Sequence, residues 1–516
     1  MNFIPTSLLK NLYTIGSLRN EPFGFSFAIK NRLTSASLIL IRQITVNDTP
    51  VSLESITIVD QDAQLLAHQI TASSPLDFPL GHTFRILIVS ESLPTGDHQL
   101  SFDIKTKPFG RLTFSVGDQL GESLAPPVKR NKIPRDSTND YLPEVINQRQ
   151  QFAQDFSKTQ LQHVTQYSFN PQQVANNCEH FTGVAQVPIG LAGPIQIKGE
   201  HAQGEFLMPL ATTEGSLVAS YNRGIKLFNS CGGITCTVVD DGMQRAPVFE
   251  LPDARHARQF ARWITEQTEF LRHVAQSTSS HLRLKRVERY TIAKFVYLRF
   301  IYSTGDAAGQ NMVSKATFEV CQWILDRYPD VQHFYLESNM ATDKKYSQIN
   351  TLLGRGKRVT AEITIPKEIL KQQMGVTPVQ LQHFGGIANL GSFAAGASSN
   401  SPHAANALAA LFIATGQDVA NVAESSAVQL FTELTTEGDF YACLTLPSLI
   451  VATYGGGTSL ATQRECLELM DCYGQGQVQK FAEIVAGVVA AGEISLAAAI
   501  TSLDWVASHE QYGRNR

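Results

Sequence analysis

The stretch ATTEG at residues 211–215, together with the helix expected after it, decides the fold of this chain. Its apolar residues are spaced four, four and three apart, at Leu217, Tyr221, Ile225 and Phe228. This spacing predicts a helix whose apolar face packs into a core. Glu214 lies next to the start of that helix, where a partly desolvated carboxyl group could hold a proton near neutral pH. The alternative interpretation is a first-turn glutamate that the helix dipole favours.

Size and composition limit the class of protein. The 516 residues are enough for two to four domains, and 43% of them are apolar, which allows a large core. The net charge of −4 argues against a general nucleic-acid binder. Seven cysteines without a CxxC pair indicate a reducing compartment and argue against a structural zinc site, so we predict no metal. Because the N-terminus lacks a secretory pattern and no apolar run approaches ~18 residues, we predict a soluble, cytoplasmic protein without a membrane span.

The N-terminal part is predicted to be a β-rich accessory domain over residues 1–120. Alternating apolar residues predict short strands, and turn signals separate them, a pattern typical of a small β-sandwich. We find no catalytic constellation in it. Prolines and basic residues predict a linker at 121–140. A glutamine-rich stretch of helical character follows at 141–178.

Residues 247–336 are predicted to form an inserted α+β unit. Helical spacing covers 254–277 and 315–328, and a strand is expected at 293–303. No GxGxxG sequence follows a strand in the required context, so the unit is not a Rossmann fold.

The C-terminal part returns to helices. Ser401 and Pro402 predict an N-cap and a first helical position, followed by a buried helix that continues to Val422. A second, alanine-rich helix is predicted over 481–500, with a break near Gly492.

Asp418 lies within the first of these predicted helices. Burying its carboxylate there is costly unless a cation pairs with it. Lys344 and Lys345 are the candidate partners. The alternative interpretation is that Asp418 caps a bend after Gly416. On that interpretation, the run Asp343-Lys344-Lys345 is simply solvated.

Seven blocks in order carry a resemblance to a known family. They are EHFTGVAQVPIGLAGP (179–194), FLMPLATTEGSLVASYNRG (206–224), GGITCTVVDDGMQRAP (232–247), GDAAGQNMVSK (305–315), ATDKK (341–345), HAANALAALFIATGQD (403–418) and SHEQYGRNR (508–516). Residues 145–516 resemble the catalytic domain of hydroxymethylglutaryl-CoA reductase, class I, while 1–120 lie outside the resemblance. It implies an α+β fold with a large substrate- and CoA-binding domain (179–246 and 337–516) around a central helix. It also implies a helical cap at 141–178 and an inserted ferredoxin-like NADP-binding domain at 247–336.

The resemblance implies four catalytic residues, Glu214, Lys344, Asp418 and His509. A lysine ammonium stabilises the oxyanion that forms when a thioester is reduced. Asp418 keeps that lysine charged and tunes Glu214, which supplies a proton to the aldehyde. His509, on the C-terminal tail, protonates the departing CoA thiolate.

Binding residues are implied by the same resemblance. Ser220, Asn222 and Arg223 match positions along the CoA path. Arg245 matches the arginine that meets the substrate carboxylate, a role that suits its bidentate geometry. The further substrate-binding positions are Asn339, Asp343, Lys345 and Asn406. The cofactor-binding positions are Ser279, Ser280, Asp306, Gly309, Asn311, Met312, Gly455, Gly456, and Arg514 or Arg516 in the tail.

Three positions depart from the family pattern. A lysine is replaced by Ile387 or Ala388, and a serine is replaced by Glu337, which affects the carboxylate pocket. An arginine that grips the 2′-phosphate of NADP is replaced by Ser280. Arg283, Lys285 or Arg514 could reach that phosphate instead, so we predict a weakened preference for NADPH, with NADH possible.

We therefore predict a hydroxymethylglutaryl-CoA reductase that makes mevalonate and CoA with two reduced nicotinamides and forms at least a dimer, a homodimer or homotetramer with sites shared between subunits. One alternative is a related acyl-CoA reductase with an altered carboxylate pocket. Another is a catalytically weak binding protein that acts through its β-domain.

Overall fold

The computed structural model describes residues 6–33, 35–60, 63–121 and 132–504. The chain divides into two compact units, Met1–Asn131 with Cys321–Pro329, and Lys132–Val320 with Asp330–Arg516. The division after residue 131 falls inside the stretch whose composition predicts a linker.

The first unit is built from two antiparallel sheets. Its elements are α1 (Thr6–Leu9), β1 (Arg19–Glu21), β2 (Gly24–Lys30), β3 (Ala36–Val46), β4 (Thr49–Pro50), β5 (Ile56–Asp60), β6 (Ala63–Leu66), β7 (Leu76–Phe78), β8 (Thr83–Val89), β9 (Gly96–Lys107) and β10 (Gly110–Leu120). One sheet has the order β1-β2-β8-β5-β6, and the other has β10-β9-β3-β4 with β7 beside β3. The rings of Phe27 and Phe102, one from each sheet, lie 5.7 Å apart. The sheets therefore face each other across an apolar core, as the alternating sequence predicts.

The second unit is larger and mixes helices with a sheet; the helix at 310–327 is given with it, although its residues from Cys321 onward are grouped with the first unit. Its elements are α2 (Pro143–Ser157), β11 (Ile189–Gly199), β12 (Gln203–Ala211), α3 (Leu217–Ser230), β13 (Ile234–Arg245), β14 (Val248–Glu250), α4 (Ala254–Glu266), α5 (Thr268–Gln276), β15 (Arg283–Ile292), β16 (Phe295–Ser303), α6 (Gln310–Arg327), β17 (His333–Tyr335), α7 (Gln348–Leu353), β18 (Gly356–Ile365), α8 (Lys367–Met374), α9 (Pro378–Ala394), α10 (Ala404–Thr415), α11 (Val422–Ser425), β19 (Gln429–Leu434), β20 (Phe440–Leu449), α12 (Ala461–Leu469) and α13 (Val478–Thr501). The main sheet path is β17-β14-β16-β13-β18-β20-β19.

The core of this unit surrounds α3 and α13. The four apolar residues of α3 that the sequence singled out are all buried: Leu217, Tyr221, Ile225 and Phe228. A side chain at Gly224 would collide with the backbone of Ala491, and one at Gly492 would collide with the ring of Tyr221. The predicted break of the helix at Gly492 is wrong, because this glycine allows α3 and α13 to approach closely while α13 continues without interruption.

Helix α13 is also, among the described residues, the helix long and apolar enough to cross a membrane. Within this fold, 78% of its most apolar window is buried. Its Glu483 carboxylate accepts backbone N–H groups of Glu200, His201 and Ala202. Packing inside the unit accounts for the apolar composition of this helix.

Residues 248–335 contain four strands in the spatial order β17-β14-β16-β15, and all neighbours in this set are antiparallel. Helices α4 and α5 connect β14 to β15, and α6 connects β16 to β17. The chain then returns to the larger sheet through the residues that carry the candidate site.

The helix predicted from Ser401 to Val422 is shorter than expected. It begins at Ala404, whose N–H donates to Ser401 Oγ over 3.1 Å, and it ends at Thr415. Gly416 follows with φ of +71°, and a side chain there would collide with the carbonyl group of Gly457. The left-handed conformation of Gly416 ends the helix, so Asp418 lies in a separate turn.

Candidate active site

Lys344 and Asp418 form an ion pair at the surface of the second unit. Lys344 Nζ lies 2.8 Å from Asp418 Oδ2, and the two side chains are 44% and 43% exposed. Asp418 also caps a short 3-10 turn by accepting the N–H of Ala420 over 3.1 Å. The predicted pairing of Asp418 with a lysine of the 343–345 run is confirmed, but its predicted place within an apolar helix is wrong.

The loop that carries Lys344 has an unusual backbone. Asn339, Thr342 and Lys344 have φ of +64°, +51° and +55°, a region that non-glycine residues rarely occupy. Hydrogen bonds hold this shape, because Thr342 Oγ1 is bonded to Ser347 Oγ at 2.7 Å and to Asn350 Nδ2 at 2.6 Å. Such strain, held in place by the surrounding structure, is typical of functional sites.

Beneath this loop lies a buried set of charges. Asp343 Oδ1 is 2.8 Å from Arg355 Nη2, and the same guanidinium group pairs with Glu424. Arg355 and Glu424 are almost fully buried. Burial raises the pKa of Glu424 to about 7, although Arg355 opposes the shift. The sequence analysis missed both residues. The available signal was that each is a charged residue between small residues, which indicates a buried charge.

The predicted substrate-binding residues cluster around this loop. Arg245 Nη1 lies 2.6 Å from Glu337 Oε2 and 3.9 Å from Asp343 Oδ2. Lys345 Nζ donates to Asn339 Oδ1 over 3.3 Å and to the carbonyl oxygen of Asp343 over 3.1 Å. The structure therefore brings Arg245, Asn339, Asp343 and Lys345 together.

Glu214 lies in the loop just before α3, and its side chain is exposed. Its backbone N–H donates to Thr212 Oγ1 over 3.0 Å. Across the described residues, no hydrogen bond or ion pair joins Glu214 to Lys344 or Asp418. The desolvation that the sequence predicts for Glu214 is therefore not present in the described chain.

A buried histidine connects two of the predicted positions. The ring of His403 stacks on Tyr221 at 4.9 Å and 8°. Its Nδ1 is 3.0 Å from Asn406 Nδ2, and its Nε2 is 3.4 Å from Ser220 Oγ. Burial lowers the pKa of His403 to about 4, so the imidazole is neutral at physiological pH.

Glu493 of α13 completes this buried cluster. Its Oε1 accepts the N–H of His403 over 3.1 Å and the hydroxyl group of Ser401. Burial raises the pKa of Glu493 to about 7, and these hydrogen bonds oppose the shift. The sequence analysis missed His403 and Glu493; the latter was visible as an acid within an alanine-rich helix.

The other two residues assigned to the CoA path make internal hydrogen bonds. Asn222 Oδ1 accepts the N–H of Gly193 over 2.8 Å. Arg223 Nε donates to Ser495 Oγ over 3.1 Å. In the described chain these side chains tie α3 to β11 and α13.

The predicted cofactor residues lie on two adjoining loops. The carbonyl oxygen of Asp306 accepts the N–H groups of Thr453 and Tyr454 at 3.0 and 3.3 Å. Asp306 Oδ1 accepts the N–H of Val478 over 3.2 Å. These bonds place the loop before α6 beside the glycine loop at 455–457.

Both loops expose backbone. Gly309 has φ of +80°, and a side chain there would collide with Thr304. Gly455 and Gly456 also have positive φ, and no atom lies within 4 Å of the position a Cβ would take at either residue. At the start of α6, Gln310 Nε2 donates to Asn421 Oδ1 over 3.3 Å, which joins this region to the turn of Asp418.

The start of α6 also lies close to the predicted cofactor residues Ser279 and Ser280. Ser279 Oγ lies 3.6 Å from Met312 Sδ, and Asn311 is exposed on the same helical turn. Next to the exposed Ser280, Arg283 Nη1 donates to the carbonyl oxygen of Ser280 over 2.8 Å.

Lys285, the other nearby cation, is held elsewhere. Its Nζ lies 2.7 Å from Asp240 Oδ1. Of the two strand cations, Arg283 is therefore the one placed at Ser280. His509, Arg514 and Arg516 lie outside the described residues.

Comparisons with known families cover both parts of the chain. The family profile described as hydroxymethylglutaryl-coenzyme A reductase matches residues 145–514. The profile described as hydroxymethylglutaryl-CoA reductase, N-terminal domain, matches residues 8–121. The expectation that residues 1–120 lie outside the resemblance is therefore wrong.

Individual relatives agree with the profiles. The 3-hydroxy-3-methylglutaryl-coenzyme A reductase of Pyrococcus abyssi is 43% identical over 362 residues, which are 69% of this chain and 89% of that protein. The enzyme of the same name from Methanothermobacter thermautotrophicus is 41% identical over 404 residues, 78% of this chain and 100% of that protein.

A solved structure shares the fold. It is the class II 3-hydroxy-3-methylglutaryl-CoA reductase of Streptococcus pneumoniae bound to NADPH in open conformations, with 19% identity and a TM-score of 0.52. The likeness covers 64% of this chain and 89% of that one.

Proposed function

The chain belongs to the hydroxymethylglutaryl-CoA reductase family, and from this premise we propose that it reduces (S)-3-hydroxy-3-methylglutaryl-CoA to mevalonate and CoA with two NADPH. The observation that carries the proposal is the Lys344–Asp418 pair, in which Lys344 lies on a strained loop and both side chains are exposed to solvent. The glycine loops adjoin the turn of Asp418, as a reductase requires of its cofactor site.

Lys344 is the electrophilic residue of this mechanism. When the thioester carbonyl is reduced, negative charge develops on its oxygen, and the Lys344 ammonium stabilises that charge. Asp418, 2.8 Å away, holds the ammonium group at one position. The strained backbone of the loop fixes the ammonium before substrate arrives, which lowers the cost of reorganisation.

Two further residues handle protons. His509 delivers a proton to the CoA thiolate when the thiohemiacetal collapses, because an imidazole can exchange protons near neutral pH. Glu214 supplies the proton to the oxygen of the aldehyde in the second reduction. Its exposed position leaves it accessible to substrate or to a second copy of the chain.

The residues of the two loops fit a dinucleotide. Asp306, Gly309, Asn311 and Met312 surround the start of α6, where unpaired N–H groups favour phosphate. A Cβ at Gly309 would collide with Thr304, so only glycine allows this backbone, and Gly455 and Gly456 leave open space in front of theirs. NADPH supplies the hydride when bound.

Two further residue sets could complete the cofactor site. Ser279, Ser280 and Arg283 would lie toward the 2′-phosphate, with Arg514 or Arg516 as the contribution of the tail. The antiparallel order β17-β14-β16-β15 supports a ferredoxin-like topology for the predicted NADP-binding domain at 247–336.

We also infer a homodimer or homotetramer with shared sites. Helix α9 has exposed apolar residues along its length: Val379, Ile387, Leu390 and Phe393. Exposed apolar patches commonly mark protein interfaces. This surface, together with the exposed Glu214, supports a site completed by a second copy. The chain is also proposed to be cytoplasmic, with the domain boundaries given by the sequence; its seven free cysteines support a reducing compartment.

The test is oxidation of NADPH by the full-length protein in the presence of hydroxymethylglutaryl-CoA. We expect two NADPH consumed for each CoA and mevalonate released, and no oxidation without a thioester. Acetyl-CoA serves as the control acyl group. Absence of thioester-dependent oxidation with any acyl group would refute a reductase and favour a binding protein that acts through its N-terminal β-unit.

A further inference from the structure

Glu337 stands where the family has a serine, and both of its carboxylate oxygens have partners. Its Oε2 lies 2.6 Å from Arg245 Nη1, and its Oε1 accepts the N–H of Asn339 over 2.8 Å. The second bond fixes the carboxylate at the start of the loop that carries Lys344. Glu337, whose side chain is 40% exposed, is therefore a carboxylate of this chain that is already bound to Arg245.

Arg245 is the guanidinium group that the resemblance assigns to the substrate carboxylate. Its side chain is only 12% exposed, so its charge is weakly screened by water. Its Nη1 is taken by Glu337, and its Nε is buried without a hydrogen-bond partner among the described residues. An incoming carboxylate would meet a guanidinium group whose charge Glu337 already balances.

The remaining cations of the loop are mostly paired as well. Lys344 pairs with Asp418, and Arg355 pairs with Asp343 and Glu424. The ammonium of Lys345 instead donates to neutral oxygens of Asn339 and Asp343. Within the described part of the loop region, Lys345 is the cation left without a carboxylate partner.

We propose that Glu337 is a specificity-determining residue that competes with the substrate carboxylate for Arg245. The chain then binds acyl-CoA thioesters with a free distal carboxylate weakly, and it discriminates little against thioesters whose distal end is neutral. This inference rests on the proposed reductase function and concerns the same site. Because the distal carboxylate lies away from the reacting carbonyl, Glu337 affects KM much more than kcat.

The experiment compares two thioesters, hydroxymethylglutaryl-CoA and its distal methyl ester, with the wild-type full chain and with Glu337→Gln and Glu337→Ser. Glu337→Gln keeps the size and the acceptor for Asn339 and removes only the charge. The control is Glu250→Gln, which removes the charge of another carboxylate ion pair, that with Lys294 at 2.5 Å.

Both Glu337 variants are expected to lower KM for the free acid roughly tenfold and to change kcat by less than about twofold. KM for the methyl ester should stay nearly constant, so the preference for the acid over the ester rises about tenfold. Glu250→Gln should leave this preference unchanged. An unchanged or reduced preference in both Glu337 variants would overturn the role of Glu337.

Binding measured by calorimetry without NADPH separates this inference from the reductase proposal. If no variant reduces any thioester, the reductase proposal fails. The Kd ratio of acid to ester would still report on Glu337: a tenfold lower ratio in Glu337→Gln supports the competition, and an equal ratio refutes it. A Glu337→Ser variant that does not fold leaves Glu337→Gln to decide.

Discussion

Asp343 and Lys344 are neighbours in sequence and lie in opposite surroundings. Lys344 extends to the surface and pairs with Asp418, with over two fifths of each side chain exposed. Asp343 turns inward and pairs with Arg355, which is fully buried and also contacts Glu424. One loop thus joins an outer, solvated ion pair to an inner pair whose arginine is fully buried.

The difference in burial between the two ion pairs predicts different roles for them in catalysis and in stability. An exposed ion pair contributes only about 0–1 kcal/mol to folding, so the fold does not depend on Lys344. A buried pair is costly to assemble, and removing one partner leaves an uncompensated charge inside the protein. We therefore expect the outer pair to control turnover and the inner pair to control the stability of the loop.

The largest effect should come from Arg355→Met. It leaves the buried carboxylate of Glu424 and the partly buried carboxylate of Asp343 without their cation, and we expect a loss of about 3–5 kcal/mol in the free energy of unfolding. Urea titration measures it. The control is Arg464→Met, which breaks an exposed pair with Glu468 and should cost at most about 1 kcal/mol. Equal losses in the two variants would contradict the contrast between inner and outer pairs.

Lys344→Ala should leave the unfolding midpoint nearly unchanged and lower kcat by several orders of magnitude, about 10²–10³-fold or more, because the oxyanion loses its counter-charge. Steady-state NADPH oxidation and thermal unfolding measure the two quantities. Lys294→Ala, which removes a lysine of similar exposure paired with Glu250, is the matched control. Residual turnover above roughly a tenth of wild type would show that Lys344 does not stabilise the oxyanion.

A variant of Glu493 tests whether burial alone raises the pKa of a carboxyl group, because desolvation is the main cause of its shift and no cation among the described residues forms an ion pair with it. The pKa of Glu493 in the folded protein, about 7, lies above the ordinary value of 4.5. The stabilisation of the folded state that protonated Glu493 provides is therefore present below pH 4.5 and is lost as the pH rises through 7. This difference corresponds to roughly 3 kcal/mol.

Glu493→Gln cannot ionise, so it should match wild-type stability near pH 4.5 and exceed it at pH 8. Chemical denaturation at a series of pH values provides the measurement, with the exposed Glu468→Gln as control. A difference that does not grow between pH 5 and 8 would argue against a buried, raised carboxyl group.

The smallest effect concerns the cofactor. Arg283→Ala should lower kcat/KM for NADPH about tenfold relative to NADH, because a charge-assisted bond to the 2′-phosphate is lost. Lys285→Ala should leave the ratio unchanged, since Asp240 already holds that lysine. A wild-type preference for NADH, or an unchanged ratio in Arg283→Ala, would eliminate Arg283 as the replacement for the missing arginine.

The sequence by itself determined much of this protein. Periodicity located α3 and its four buried residues, because an apolar face repeats with the pitch of a helix. Alternation located the strands of the first unit, because successive side chains in a strand point to opposite faces. The order of short motifs indicated the family, which the comparisons establish.

Only the tertiary structure decided which charges pair and which helices stop. Local patterns cannot report that Gly416 packs against Gly457, or that Gly492 serves a close contact and not a break. Nor can they place Glu337 against Arg245, because ion pairs between residues 92 positions apart depend on how sheet and loop come together. Sequence patterns record short-range geometry, whereas burial and pairing are set by contacts between segments that are distant in the chain.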